Sequence, residues 1–122
     1  PDYILKALKM NYNVEVDVWY KNNELYLGHD NPQYKIHNDF LKNEKIWCHA
    51  KNIEALNYLD KIDCHYFWHQ EDDVTITNRG YFWTYPGKNL TEKSICVLPE
   101  ISNYEKILCA GICSDFIENY NK

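Results

Sequence analysis

The sequence predicts an α/β protein whose sheet is mostly parallel. Seven short segments rich in β-branched and aromatic residues recur along the chain, which is the composition of strands. Helix-like stretches lie between some of these segments, and an alternation of strands with helices favours βαβ units. Because the chain has 122 residues, we expect residues 1–122 to form one domain with a real core.

The individual elements follow from local patterns along the chain. The predicted strands are 14–20, 25–29, 46–51, 65–70, 81–86, 94–99 and 111–116. The predicted helices are 2–10, 52–62 and 102–109. Asn52 and Ser102 are the predicted N-caps of the last two helices, because their side chains accept hydrogen bonds from the free N–H groups of a first turn. Asn22 and Asn23 form a predicted turn between the first two strands.

Charge and cysteine content exclude several classes of partner. Acidic residues outnumber basic ones by 18 to 13, and a net charge of −5 has the wrong sign for nucleic acid or an anionic membrane. No apolar run approaches the roughly 18 residues of a membrane span, and no signal-peptide pattern is present. The five cysteines have no CxxC spacing and lie in apolar stretches, as free buried thiols do in a reducing compartment. We therefore expect a soluble, cytoplasmic protein.

The first predicted strand carries two carboxylates on one face. Valines at positions 14, 16 and 18 alternate with Glu15 and Asp17, so apolar and acidic side chains point to opposite faces. An exposed edge strand would show the same pattern. If the acidic face points to a protein interior instead, the two carboxylates repel each other and need a cation. This pattern is therefore compatible with either a solvated strand face or a metal site.

A histidine directly follows the second predicted strand. The triplet Gly28-His29-Asp30 stands at the carboxyl end of this strand, which is where barrel enzymes place their active sites. His29 is therefore a candidate acid or base, and a surface-loop histidine is the alternative. The triplet and the nearby carboxylate pair are together more specific than either feature alone.

Residues 14–30, VEVDVWYKNNELYLGHD, resemble the glycerophosphodiester phosphodiesterase family, within the phospholipase-C-like phosphodiesterase barrels. The resemblance implies that Glu15 and Asp17 are ligands of a divalent cation and that His29 is one of two catalytic histidines. It is tightest over these residues and continues more loosely to about residue 118. The other catalytic histidine belongs to a His-Arg-Gly strand of the family, which has no match in this sequence.

The third predicted strand agrees with the family in part. Where the family has a Glu-x-Lys pattern, this chain has His49-Ala50-Lys51. Lys51 matches the family's lysine near the phosphate, while His49 stands where the family has a metal-ligating Glu. Imidazole binds divalent metals but prefers softer ions than Mg²⁺ or Ca²⁺. The implied cofactor is a divalent ion, Mg²⁺ or Ca²⁺ in the first place, with Mn²⁺ and Zn²⁺ as alternatives.

The resemblance implies a (β/α)8 TIM-type barrel that is small, irregular and incomplete, with reduced helices. The seven predicted strands and one missing strand would give the eight of such a barrel. Seven strands leave about 17 residues each, against about 31 in a typical barrel, so some helices must be reduced to loops. An incomplete barrel would expose the edge of the strand at 14–20, which predicts self-association through that edge.

Polar residues at the ends of later predicted strands are candidate substrate ligands at the mouth of this barrel. They are His69, Tyr85, Glu100 and Asp115. The rim at the carboxyl ends of the strands is where a barrel binds its substrate. A carboxylate after a strand is more often a loop residue or a helix cap, so each acidic position also has this ordinary explanation.

These features predict a metal-dependent hydrolase of a glycerophosphodiester or a similar small phosphodiester. The rival hypothesis is a barrel that binds a phosphorylated ligand without turnover, because the family's first histidine has no match. With His29 as the one histidine in the family's acid/base positions, we expect residues 1–122 alone to hydrolyse glycerophosphodiesters slowly or not at all.

A zinc hydrolase is a third hypothesis. Its ligands would be His29, His49, Asp17 and His69. This hypothesis is weaker, since these residues lack the HxH or HExxH spacing that makes a zinc site recognisable.

Overall fold

The computed structural model describes residues 2–99 and 109–114, and the chain divides into two compact units at residues 1–69 and 70–122. Among the described residues, the first unit contains the helices α1 (Asp2–Lys9), α2 (Asn38–Leu41) and α3 (Ile53–Leu59). The strands of the first unit are β1 (Val14–Lys21), β2 (Glu24–Leu27), β3 (Tyr34–Ile36), β4 (Ile46–Ala50) and β5 (His65–Trp68). Those of the second unit are β6 (Val74–Ile76), β7 (Phe82–Thr84), β8 (Ser94–Val97) and β9 (Gly111–Cys113). The single domain over 1–122 stays a prediction, and most of the predicted helix at 102–109 lies outside the described residues.

The first unit is built on a five-stranded sheet of order β3-β2-β1-β4-β5. β1, β4 and β5 run parallel, whereas β2 is antiparallel to β1 and β3 is antiparallel to β2. The turn between β1 and β2 consists of Asn22 and Asn23, which have φ angles of 53° and 63°. Asparagine tolerates this left-handed conformation, and a two-residue turn returns the chain antiparallel beside β1. The predicted turn is confirmed.

One face of this sheet forms the core of the first unit. Side chains alternate along a strand, so Val16 and Val18 of β1 lie on the same face as Cys48 of β4. All three are buried in one apolar cluster with Ala55 and Leu59 of α3. Because the helix covers this face, the intervening residues of β1 project from the opposite one.

Asn52 ties α3 to the end of β1. Its Oδ1 accepts a hydrogen bond from the backbone N–H of Ala55 (3.0 Å), as an N-cap does, and another from the backbone N–H of Tyr20 (3.2 Å). Its Nδ2 donates to the carbonyl of Tyr20 (3.0 Å). The predicted N-cap is confirmed, and the same side chain completes the backbone hydrogen bonding of the β1 end.

Replacing Asn52 with Ala is expected to lower the free energy of unfolding by about 2–4 kcal/mol. The variant loses the cap, at about 1 kcal/mol, and leaves the half-buried N–H and carbonyl of Tyr20 without this partner, at about 1–3 kcal/mol. Urea unfolding measures the change. Asn52→Asp is the comparison variant, because its carboxylate keeps both accepted hydrogen bonds and replaces the donated one by an oxygen that faces the carbonyl of Tyr20. An Ala variant as stable as the wild type would contradict this role of Asn52.

The described residues of the second unit form a four-stranded sheet of order β6-β7-β8-β9. β7, β8 and β9 run parallel, and β6 is antiparallel to β7. All four residues of β8, Ser94–Val97, are buried, as in a parallel strand covered on both faces. The second unit thus contains parallel strand pairs, as the sequence predicts.

The structure contradicts the predicted (β/α)8 barrel. The described residues form two mixed sheets, of five and four strands, and no closed barrel occurs among them. Helices make up 18% of the described residues and strands 36%, which is too little helix for a ring around eight strands. The connections explain the difference. The turns from β1 to β2 and from β6 to β7 are too short for a crossover helix, so these strands pair antiparallel.

The edges of the first sheet differ from those expected of an incomplete barrel. β1 lies between β2 and β4, and the edge strands of its sheet are β3 and β5. Self-association through a sheet edge stays a prediction. Among the helices that the structure describes, none has the length and apolarity needed to cross a membrane.

Candidate metal centre

Three potential metal ligands lie on the face of the first sheet opposite its apolar core. Alternation along β1 places Glu15 and Asp17 on the face opposite Val16. β4 pairs with β1 in parallel register, with Asp17 opposite His49, so the imidazole shares the face of the carboxylates. One ligand atom from each of Glu15, Asp17 and His49 lies within 4.8 Å of the other two. The prediction that the two acids share one strand face, near enough to hold a cation, is confirmed, whereas the barrel mouth into which they were expected to point does not occur among the described residues.

This cluster is partly shielded from solvent and closely spaced. The side chains of Asp17 and His49 are only 13% and 12% exposed, and that of Glu15 is 26% exposed. The Nδ1 atom of His49 lies 3.2 Å from Oδ1 of Asp17 and 3.6 Å from Oε1 of Glu15. Two carboxylates and one imidazole of this spacing can hold a divalent metal ion.

The ring of His49 is fixed by its other neighbours. Its Nε2 lies 2.9 Å from the backbone carbonyl of His69, and because a carbonyl only accepts, Nε2 carries the proton and donates. The ring stacks on Phe67 at a centroid distance of 4.9 Å and an interplanar angle of 15°. Nδ1 is therefore the nitrogen that faces the two carboxylates.

The three side chains shift one another's pKa values. Burial is the largest influence on Glu15 and raises the pKa of its carboxyl to about 7. Burial also favours the neutral forms of Asp17 and His49, but hydrogen bonding outweighs it. The pKa of Asp17 is therefore held well below its usual range, and the pKa of His49 rises to about 9. A metal ion must displace the proton of His49 to use its Nδ1.

In the absence of metal, we expect stability to fall as the pH rises from about 6.5 to about 9. The folded state raises the pKa of His49 from 6.5 to about 9, so the stabilisation by its proton is complete below pH 6.5 and lost as pH approaches 9. A loss on the order of 2 kcal/mol is expected from urea unfolding in EDTA. The raised pKa of Glu15 acts with the same sign between pH 4.5 and about 7.

His49→Gln is the variant that tests this pH dependence. It should unfold with a smaller slope against pH over the same window, because the titrating group is gone. His37→Gln is the matched control, since His37 is 78% exposed and belongs to no part of the cluster. Equal slopes for His49→Gln and the wild type would show that His49 is not the group responsible.

Asp17 also contacts His29, so its carboxylate interacts with two histidines. Its Oδ2 lies 2.8 Å from Nδ1 of His29, while its Oδ1 faces His49. His29 itself is 82% exposed, and its Nε2 lies 3.9 Å from Oδ1 of Asp30. The Asp17 contact holds the ring of His29 beside the metal-ligand cluster with its Nε2 edge open to solvent.

The backbone around Gly28 positions His29. The indole N–H of Trp19 donates to the carbonyl of Gly28 at 2.6 Å, and the N–H of Gly28 donates to the carbonyl of Asp17 at 3.2 Å. A Cβ at Gly28 would lie 1.9 Å from the carbonyl oxygen of Asn31, so only glycine fits here. Trp19 is missing from the predicted site residues, although its place two residues after Asp17 on the same face could have indicated it.

The remaining predicted residues take different places. Lys51 directly follows β4, and its backbone N–H donates to the carbonyl of Val18 at 2.8 Å. His69 contributes its carbonyl to the cluster, with its ring 6.4 Å from that of His49. Tyr85 lies in the second unit, where its hydroxyl accepts a hydrogen bond from the indole of Trp83 at 3.2 Å. Glu100 and Asp115 lie outside the described residues.

Comparison of the chain with protein-family models, with curated proteins and with solved structures finds no match. The resemblance to the phosphodiesterase family therefore has only the sequence motifs of residues 14–30 and 49–51 in its support. Glu15, Asp17 and His29 match the family's pattern and His49 departs from it, and all four side chains lie together around the carboxylate of Asp17.

Proposed function

We propose that this chain is a metal-dependent phosphodiester hydrolase of the glycerophosphodiester phosphodiesterase type, acting on a glycerophosphodiester or a similar small phosphodiester. The observation that carries the proposal is the double contact of Asp17. One of its oxygens faces His49 in the metal-ligand cluster, and the other faces His29, an exposed potential acid or base. Phosphodiester hydrolysis needs charge stabilisation and proton transfer side by side, and this geometry supports both.

Glu15, Asp17 and His49 would hold the divalent ion. Their donor set fits one, because each provides an anionic oxygen or an imidazole nitrogen within 4.8 Å of the others. When bound, such an ion polarises a non-bridging phosphoryl oxygen and offsets the charge that develops in the transition state. The resemblance implies Mg²⁺ or Ca²⁺ for this role.

His29 would transfer the proton. Asp17 accepts a hydrogen bond from its Nδ1, which leaves Nε2 to exchange a proton with the attacking hydroxyl or the leaving alkoxide. The exposure of this side chain supports access by a substrate from solvent. Lys51, which directly follows the strand of His49, would bind the phosphate as a point charge.

The alternative function is the binding of a phosphorylated ligand without turnover. It is favoured by the state of His49, whose two ring nitrogens both have partners within the cluster. Among the described residues that contact Asp17, this leaves His29 as the only exposed acid or base, whereas hydrolysis needs one proton delivered and one removed.

Turnover of a phosphodiester with and without a divalent ion distinguishes the two functions. Metal-free protein is mixed with glycerophosphocholine or an activated aryl phosphodiester, and Mg²⁺, Ca²⁺ or Mn²⁺ is added in turn. The proposed hydrolase releases product only when an ion is present, and EDTA stops the release. Binding of glycerol phosphate without product from any diester would instead support the alternative.

A further inference from the structure

We propose that the metal centre selects a first-row transition ion, Zn²⁺, Co²⁺ or Mn²⁺, over Mg²⁺ and Ca²⁺, because His49 presents an imidazole nitrogen in a fixed tautomer. This inference rests on the proposed metal-dependent function and assigns the class of its cofactor. It departs from the Mg²⁺ or Ca²⁺ that the family resemblance implies. The departure depends on a residue of this chain, since a histidine stands where the family has a carboxylate.

The tautomer of His49 is fixed by a hydrogen bond. The carbonyl of His69 accepts a hydrogen bond from Nε2 at 2.9 Å, so the lone pair of the neutral ring is on Nδ1. Nδ1 is also the atom nearest to the carboxylates, at 3.2 Å from Asp17 and 3.6 Å from Glu15. A hydrogen bond from the second ring nitrogen to a carbonyl is the usual support for a metal-ligating histidine.

The side chain of His49 has little freedom to turn away from the two carboxylates. It lies on β4, which is paired with β1 on one side and β5 on the other. Its ring stacks on Phe67, and its side chain is only 12% exposed. An ion held by the oxygens of Glu15 and Asp17 at about 2.0–2.2 Å would therefore also lie against Nδ1.

Divalent ions differ in the ligand atoms that they prefer. Mg²⁺ and Ca²⁺ take oxygen ligands, and Mg²⁺ also demands near-ideal octahedral geometry. Zn²⁺ and Co²⁺ bind imidazole well, and affinity among divalent ions rises from Mn²⁺ through Co²⁺. A site with one fixed nitrogen and two carboxylates thus favours the transition ions. Three protein ligands also leave a coordination position for a substrate oxygen.

The test compares ions by thermal unfolding. Metal-free protein is titrated with Mg²⁺, Ca²⁺, Mn²⁺, Co²⁺ and Zn²⁺, and the midpoint shift gives the apparent affinity for each ion. We expect the transition ions to bind about tenfold or more tightly than Mg²⁺ and Ca²⁺. His49→Glu replaces the nitrogen with oxygen, so this preference should shrink or reverse. His37→Glu is the matched control and should keep the wild-type order.

A second measurement covers the case in which His49→Glu fails to fold. In the wild-type protein labelled with ¹⁵N at histidine, Zn²⁺ should move the Nδ1 resonance of His49 and leave its Nε2 protonated. An Nδ1 resonance that stays unchanged at saturating Zn²⁺ would overturn the inference. Tighter binding of Mg²⁺ or Ca²⁺ by the wild type would also overturn it, while leaving the proposed metal-dependent function in place. The absence of a shift with every ion would contradict both.

Discussion

Replacing Asp17 with Asn should abolish the stabilisation of this protein by divalent ions. Asp17 is the only residue in the described cluster whose two carboxylate oxygens both have a histidine partner, and its lowered pKa keeps it ionised at neutral pH. An amide oxygen is neutral, so the variant loses one of the two negative charges of the site and should bind a divalent ion much more weakly. At an ion concentration about 100 times the Kd, the wild type should gain about 2.7 kcal/mol, and the variant should gain almost nothing.

Each protein in this comparison is measured against its own metal-free form, because Asp17→Asn also loses hydrogen bonds that exist without an ion. Asp39→Asn is the matched control. Asp39 is 75% exposed and pairs with His37 and Lys42, outside the metal-ligand cluster. The control should keep the full ion-dependent gain. An Asp17→Asn protein that keeps it as well would remove Asp17 from the metal site.

Replacing His29 with Ala should lower metal-dependent phosphodiester turnover by about 10²- to 10⁴-fold, the usual contribution of a general acid or base. The change should leave ion-dependent stabilisation intact, because His29 is 82% exposed and lies outside the ligand cluster. An activated aryl phosphodiester is the appropriate substrate. The sequence predicts that residues 1–122 hydrolyse glycerophosphodiesters slowly or not at all, and an activated leaving group makes a small rate measurable.

His37→Ala is the control for the activity measurement, since it removes another exposed histidine of the first unit. It should turn over the diester at the wild-type rate. If His29→Ala does so too, His29 is not the group that transfers the proton. If the wild type turns over no diester but binds a phosphorylated ligand, the alternative function is the correct one.

The sequence predicts the local elements of the first unit better than their assembly. The alternation from Val14 to Val18 predicts both the strand and its two faces, because side-chain direction repeats every second residue. Strands of three residues, such as β3 and β6, are too short to show this period. The barrel prediction fails because a strand count does not give the direction of pairing, and short connections make β2, β3 and β6 antiparallel.

The residues of the metal-ligand cluster also differ in how far the sequence predicts them. Glu15 and Asp17 are predictable from spacing within one strand. His49 comes opposite Asp17 through the register between β1 and β4, which periodicity does not contain, and the family resemblance supplied it instead. The contribution of His69 is its backbone carbonyl, and a carbonyl has no signature in the sequence. Sequence patterns thus indicate which side chains share a strand face, whereas pairing between strands decides which of them meet.

In the proposed function, Glu15, Asp17 and His49 bind one divalent ion. The most direct test is a crystal structure of the protein with Mn²⁺, in which anomalous scattering locates the ion. We predict one peak within about 2.0–2.4 Å of an oxygen of Glu15, an oxygen of Asp17 and Nδ1 of His49. Ordered side chains with no peak between them, and with Nδ1 of His49 still bonded to Asp17, would contradict the claim.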